Sequence, residues 1–500
     1  MAEINKNTVL AILAESTEGT VVSPSAATDF IAVQDNLSME PGIESIENAE
    51  LHSSLGMAKS IRGVENPKAS LSHYVRHSGT EGSAPNYKQL LKAAFGSETV
   101  NGTQRSTTSS SSTSVVKLAS GGTDFARGRA ILIKDGTNGY SIRPVFSVST
   151  NDLTLGFNLA NAPASGIGVG KCVNYSPANS SHQSLSLWRY AANRGAVELI
   201  SGCRVTELSM DFKANDLING SYSLEGLKYY FNPIEITTSI KYLDFLDDAT
   251  TRAAIIPVKV YRDPHELADA IASAMNSLGS SNTFTCTYSN STGKFTITSS
   301  GTTLTLKWNT GTNTANSIAS KIGFSTAADS SAALTYTGTN AITLTASYTP
   351  SFDSADPLVC KNLEVFLGDS TDSNSISVSQ ASFKMALSRA VINDITAESG
   401  RSGSLIDKRE VTISLSALLN QFDAEKFKRY RANTDTSFCL NFGLKTGNNW
   451  VAGKCGCLYI PTASISSFKV ESDNGIFYMN MELKAFVDSS GNGEVYLNFL

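Results

Sequence analysis

Apolar residues in this chain recur mostly at every second position, in short runs bounded by Gly, Asn, Asp and Pro, the pattern of half-buried strands. Lys68-Ala-Ser-Leu-Ser-His-Tyr-Val75 places Ala69, Leu71, His73 and Val75 on one side. In Arg204 to Phe212, Leu208, Met210 and Phe212 share one face, and Glu207, Ser209 and Asp211 the other. Strand signals also cover Leu185 to Tyr190, Val205 to Phe231, and most of Leu358 to Leu500. Helical spacing is confined to a few places. Tyr87-Lys-Gln-Leu-Leu-Lys-Ala-Ala-Phe95 has it and stops at Gly96; Ala424 to Ala432 is the corresponding helix near the C-terminus.

Two segments read as inserts. Val115 to Tyr175 carries short strands such as Ala130-Ile-Leu-Ile133, Val145-Phe-Ser-Val148 and Leu153-Thr-Leu155, which predicts a small β-barrel behind a flexible Ser/Thr joint at Ser106 to Ser114. Ile255 to Tyr348 predicts a self-contained α+β module. Asp263 can cap a helix, Pro264 suits its first position, and Glu266 lies three residues after the cap. Leu267, Ile271, Ala274, Met275 and Leu278 then form one stripe. A hairpin (Phe284 to Tyr288, Lys294 to Thr298), a strand (Leu304 to Trp308) and a short helix (Ala315 to Ile322) complete the module.

The fold class is therefore mainly β. The expected domains are a split first module at 1–105 and 184–245, the small barrel at 106–183, the α+β module at 255–348, and a second β module at 356–500. The two β modules look like copies. Phe212-Lys213 and Phe468-Lys469 match at an offset of 256, as do Tyr222 with Tyr478 and Leu227-Lys228 with Leu483-Lys484. Ser70-Leu-Ser72 matches Ser414-Leu-Ser416 at 344, the difference being the barrel inserted in the first copy only. Two sheets in one chain can pair edge to edge and leave outer edges for identical neighbours, the kind of head-to-tail contact that closes rings.

Composition narrows the function. Charged residues are only 17% of the 500, against about 25% in an ordinary soluble domain, with Ser, Thr, Asn and Gly in their place. A net charge of −5 makes the whole chain a poor glove for nucleic acid. No apolar run approaches the ~20 residues of a membrane span, and Val9 to Ala14 is too short for a signal-peptide core. Seven cysteines without paired spacing suit free thiols in a reducing cytoplasm.

Gly166-Ile-Gly-Val-Gly-Lys171 lacks the Ser/Thr and the helix of a phosphate loop and reads as a turn. Cys455 and Cys457 lie on one strand face with no further ligands close in sequence, so core packing is expected. His73 and His77 stand in a strand and the loop after it, which does not bring them together. The basic positions Lys426, Lys428, Arg429 and Arg431 read as a solvated or contact face. No enzyme, metal or cofactor is expected.

Ala381-Ser-Phe-Lys-Met385, Gly400-Arg-Ser-Gly-Ser404, Lys408-Arg-Glu-Val-Thr-Ile-Ser-Leu-Ser416, a helix from Asp423 to Ala432 and Met481-Glu-Leu-Lys-Ala-Phe486 together resemble the tail tube proteins of long, non-contractile-tailed phages (siphoviruses). The first copy resembles them more loosely at Asn66 to Ser72 and Leu208 to Tyr230, and roughly half the chain is covered. The resemblance implies a β-sandwich with a flanking helix and inner strands that join around a ring. Rings stack into a virion tube through which genomic DNA passes in transit. It implies a homotrimer with pseudo-sixfold symmetry, and tape measure and tail terminator or tip proteins as partners. Synthesis would be in the bacterial cytoplasm, with no membrane insertion. A family lumen is usually acidic, which makes Glu207, Asp211, Glu225 and Glu482 the lumen-lining candidates, the plainer reading being an ordinary solvated strand face; the matching strand of the second copy offers Ala463, Ile465 and Ser467. The alternatives are a receptor-binding fibre or adhesin that uses the inserts, which deleting Ile255 to Tyr348 would disable, and a glycan-degrading virion enzyme.

Overall fold

The computed structural model describes residues 8–50, 58–135, 139–180, 182–191, 196–344, 348–369, 371, 375–419, 424–488 and 493–500. The predicted helix start at Asp423 lies outside the described residues. The fold is mainly β, and the chain divides into two compact units.

The first unit comprises Met1–Ala11, Leu187–Ile200 and Lys228–Thr349. It contains an α+β module with its own core of Leu243, Phe245, Leu267, Ile271, Phe295 and Trp308, among others. The helix Pro264–Asn276 begins as expected, with the Asp263 carboxylate accepting the His265 and Glu266 N–H groups at 2.8 and 3.0 Å. Phe284–Ser289 pairs with Lys294–Ser299 around Gly293, which sits at φ +68. A second, four-stranded sheet joins Leu304–Leu306 and Ser330–Ala333 to Tyr242–Asp247 and Thr250–Ile255, strands that precede the expected boundary at 255. The helix expected at Ala315 to Ile322 is instead two 3-10 turns, Thr314–Asn316 and Ala319–Ile322. Between them the Ile318 N–H bonds the Tyr242 carbonyl at 3.0 Å, so pairing with the sheet outweighs the local helical pattern.

The second unit comprises Ile12–Ser186, Ser201–Leu227 and Pro350–Leu500. Eight of its strands form one continuous antiparallel run. In chain order they are β1 (Ser38–Glu40), β2 (Lys68–Tyr74), β3 (Ala196–Lys213, in this unit from Ser201), β4 (Asn219–Glu225), β5 (Val378–Asn393), β6 (Arg401–Leu418), β7 (Asn449–Asp473) and β8 (Ile476–Ala485). Pairing places them in the spatial order β1-β2-β4-β3-β5-β6-β8-β7.

The run is two matched four-strand sets. Ser38, Ser70, Ser223 and Glu207 lie side by side across β1, β2, β4 and β3. Ser382, Ser414, Glu482 and Ser467 lie side by side across β5, β6, β8 and β7. Each set carries a bulge in its last strand, at Thr206 between Val205 and Glu207 and at Ser466 between Ile465 and Ser467. The register therefore gives offsets of 344 for the first two strands, 259 for the third and 260 for the fourth. The 344 match of Ser70 with Ser414 stands; the gapless 256 offset is corrected. Leu208, not Phe212, is the counterpart of Phe468, and because the first hairpin holds one residue more between its strands (Asp211 to Asn219 against Glu471 to Tyr478), no single gapless offset fits both strands.

Each set has a helix between its second and last strands in sequence: α1 (Lys88–Phe95), and α3 (Ala424–Ala432), the helix Pro264–Asn276 of the other unit being α2. Helix α1 buries Leu90, Leu91, Ala93, Ala94 and Phe95 and ends at Gly96, whose φ of +89 suits a residue without a Cβ.

The six strands of the small barrel run from Arg105 to Val169, and the Thr107–Leu118 bridge joins their two ends. Ile131, Ile133, Val145, Leu153, Leu155 and Val169 help to fill it. Cys172–Pro177 leaves the barrel and pairs with Gly96–Asn101. The Ser/Thr tract is not a free joint. Thr107 is buried; its hydroxyl donates to the Ala164 carbonyl at 2.6 Å and accepts the Ile167 N–H at 2.9 Å.

Candidate functional site

Strand alternation gives the eight-stranded run two unlike faces. One carries Met39, Leu71, Leu208, Phe383, Ile413 and Leu483, all buried. The other carries Ser38, Ser70, Ser223, Glu207, Ser382, Ser414 and Glu482, a polar surface that continues across all of the strands from β1 to β8 in register.

All four candidate residues lie on that polar face. Asp211, Ser382, Ser414 and Glu482 form one row across four strands, so Asp211 of the first set and Glu482 of the second stand in register. Glu207 lies opposite Ala386 of β5, and Glu225 is on β4 two residues from Ser223, the partner of Glu207.

The face is not uniformly acidic. The Lys384 ammonium is 2.7 Å from the Glu207 carboxylate across the β3–β5 junction. Glu225 stands 3.8 Å from Lys68 and 3.6 Å from Arg389. Asp211 accepts the Ser382 hydroxyl at 2.6 Å. Glu410 pairs with Lys484 and Glu471 with Lys469, and the donated hydrogen bond is the main reason each carboxyl titrates below its usual range. Exposed pairs of this kind are screened by solvent and add little to stability. Their larger effect is to cancel lysine charge locally, which leaves a wall of hydroxyls, carboxylates and neutralised ammonium groups.

Position 463 and position 465 do not belong to this wall. Ala463 and Ile465 are buried on the core side, at 0% and 3% exposure, because the Ser466 bulge reverses the alternation that follows. The residues of β7 that share the face are Ser467, Lys469 and Glu471. Lys469 and Glu471 were missed because the 256 offset carries Glu207 and Asp211 to positions 463 and 467, whereas the register carries them to Ser467 and Glu471.

The other motifs resolve into structure. All seven cysteines are buried thiols outside any disulfide, and the Cys439 and Cys457 sulfurs lie 3.5 Å apart. Burial pushes the Cys455 thiol up to about 12, far from a reactive thiolate. Gly168–Val169, within the glycine-rich stretch, is a barrel strand. His73 packs in the core between Tyr87 and Tyr222. Arg429 of α3 pairs with Glu425 and Asp369, at 2.7 and 2.8 Å. No helix among the described residues is long and apolar enough to cross a membrane.

Compared with known proteins, residues 5–255 match the family model described as phage tail tube protein. No curated protein matches the chain. The matched half includes all four strands of the first set, β1 to β4, together with α1 and the small barrel. A rigid two-faced sheet of joined strand sets is the kind of element a tube wall needs, and with half of its length matched this chain belongs to the phage tail tube proteins, structural components of the virion's tail.

Proposed function

We propose that the chain self-assembles into rings of three copies, stacked as the tube of a siphovirus tail, with the polar face of the eight-stranded run lining the channel for genome ejection. The two four-strand sets are duplicated tube domains in this reading. The observation that carries it is the β3–β5 junction, where the last strand of one set pairs with the first strand of the next from Glu207–Ala386 to Lys213–Gln380. One chain thus already contains one of the joins that a ring repeats.

Size supports the reading. Three chains of eight strands would give 24. With strands ~4.8 Å apart and tilted ~40°, such a barrel measures roughly 48 Å between opposite backbones. Side chains reduce the bore to roughly 30 Å, wider than a DNA duplex. Paired lysines and carboxylates offer a passing polyanion little fixed positive charge to hold it, because counterion release requires unpaired cations. Tape measure protein would occupy the bore before ejection, and terminator and tip proteins would cap the ends.

Electron microscopy of the purified protein, alone and with a tail-tip nucleus, tests this. Rings or tubes with a central hole and three copies per ring are expected. A chain that stays monomeric at high concentration under both conditions overturns it.

A further inference from the structure

The ring needs a second kind of join, between chains, and the β3–β5 junction serves as its template. β1 is the counterpart of β5, and β7 of β3. Within the chain, Met210 lies opposite Phe383, and Asp211 opposite Ser382. Carrying each residue to its counterpart gives Val470 opposite Met39 and Glu471 opposite Ser38. We propose that residues Ser467 to Asp473 of β7 in one copy pair antiparallel with β1 of a second copy in this single register, with Lys469 opposite Glu40.

The open main-chain groups agree. The Gln34 N–H bonds the Ser72 carbonyl and the Gly42 carbonyl accepts the Asn66 N–H, so even-numbered residues of this segment turn toward β2. Met39 therefore aims its N–H and C=O at the open edge. On β7, Asp473 and Ile476 flank a two-residue turn, Asn474 and Gly475 at φ +50 and +80, which makes Asp473–Ile476 a hydrogen-bonded pair. Glu471 and Lys469 thus also turn toward β8, and Val470 points its main chain outward. Met39 and Val470 can exchange both bonds only when directly opposite.

Side chains agree as well. Ser38 opposite Glu471 repeats the Ser382–Asp211 hydrogen bond of the internal junction. Lys469 and Glu40 are opposite charges. Sliding β1 by two residues in one direction places Glu40 against Glu471; sliding it in the other places Met39 against Phe468 and removes the Lys469–Glu40 pair. Val470 is 44% exposed whereas its counterpart Met210, covered at the junction, is 3% exposed. Among the described residues no strand pairs with the outer side of β1 or with β7 beyond Ile465 on its open side. Pro41, which has no N–H, stands at the end of β1 and limits the ladder there.

The inference rests on the ring reading, and one experiment separates the two. Glu40 and Lys469 would form a non-hydrogen-bonded pair, whose ~4.5 Å Cα separation admits a disulfide. Native thiols are buried, so background is low. In full-length protein, Glu40→Cys with Lys469→Cys is expected to give, on oxidation, covalent dimers and trimers on a non-reducing gel. Glu40→Cys with Glu471→Cys, the slipped register, is expected to stay uncrosslinked. Lys469→Glu should weaken assembly roughly three- to tenfold, and adding Glu40→Lys should restore it. Rings that form while the slipped pair crosslinks, or while neither pair does, overturn this register and leave the ring reading standing. Folded protein that forms no rings and no crosslink overturns both.

Discussion

Acid should loosen the second unit through His73. The ring sits on the core face of β2 at 3% exposure, 4.2 Å from the Tyr87 ring and 5.6 Å from Tyr222, and it fills the space over Gly220. Its Nδ1 is 3.0 Å from the Tyr74 carbonyl. Burial, helped by nearby Arg76, pushes the imidazole down to about 4 from 6.5. An unfolded chain takes up the proton near 6.5 while the folded one refuses it until about 4. Stability is therefore complete above pH 6.5 and drains as pH falls toward 4. The whole shift corresponds to about 3 kcal/mol, and about 2 kcal/mol of it is lost by pH 5. His73→Phe keeps the stack with both tyrosines and removes the titration. Urea unfolding of both proteins at pH 7 and pH 5 should show the wild type losing about 2 kcal/mol more than the variant. Equal losses in the two proteins would refute the reasoning.

Three further outcomes are expected. Gly443→Ala should cost more than ~3 kcal/mol or abolish soluble expression, since Gly443 has φ +129 and a Cβ there would lie 2.4 Å from the Lys454 carbonyl oxygen; thermal melts check it. Arg409→Ala should cost ~3–5 kcal/mol, because the guanidinium reaches both oxygens of buried Glu494 at 2.8 and 2.9 Å. Adding Glu494→Ala should recover part of that loss in a double-mutant cycle. Thr107→Val should cost ~1–3 kcal/mol by leaving the Ala164 carbonyl and the Ile167 N–H unpaired, read as a lower urea midpoint.

The alternating strands, the capped helix after Asp263 and helix α3 were legible because each rests on neighbours in sequence. So was the polar face through Glu207, Asp211, Glu225 and Glu482, since alternation alone assigns side chains within a strand. What sequence hid depends on distant groups. The Ser466 bulge is set by the fit of β7 against β8, and it puts Ser467, Lys469 and Glu471 on the wall while Ala463 and Ile465 stay in the core. Thr107 turns a Ser/Thr tract into ordered structure through residues nearly sixty positions on. The helix expected before Ile322 divides because Tyr242 claims the Ile318 N–H.

The central claim is that joined strand sets close around a polar bore. Cryo-microscopy of the assembled protein tests it most directly. The account predicts a ring in which β1-β2-β4-β3-β5-β6-β8-β7 recurs without a break and Glu207, Asp211 and Glu482 face the channel. A ring whose channel is lined by Leu208, Phe383 and Ile413, or whose chains meet through other elements, would contradict it.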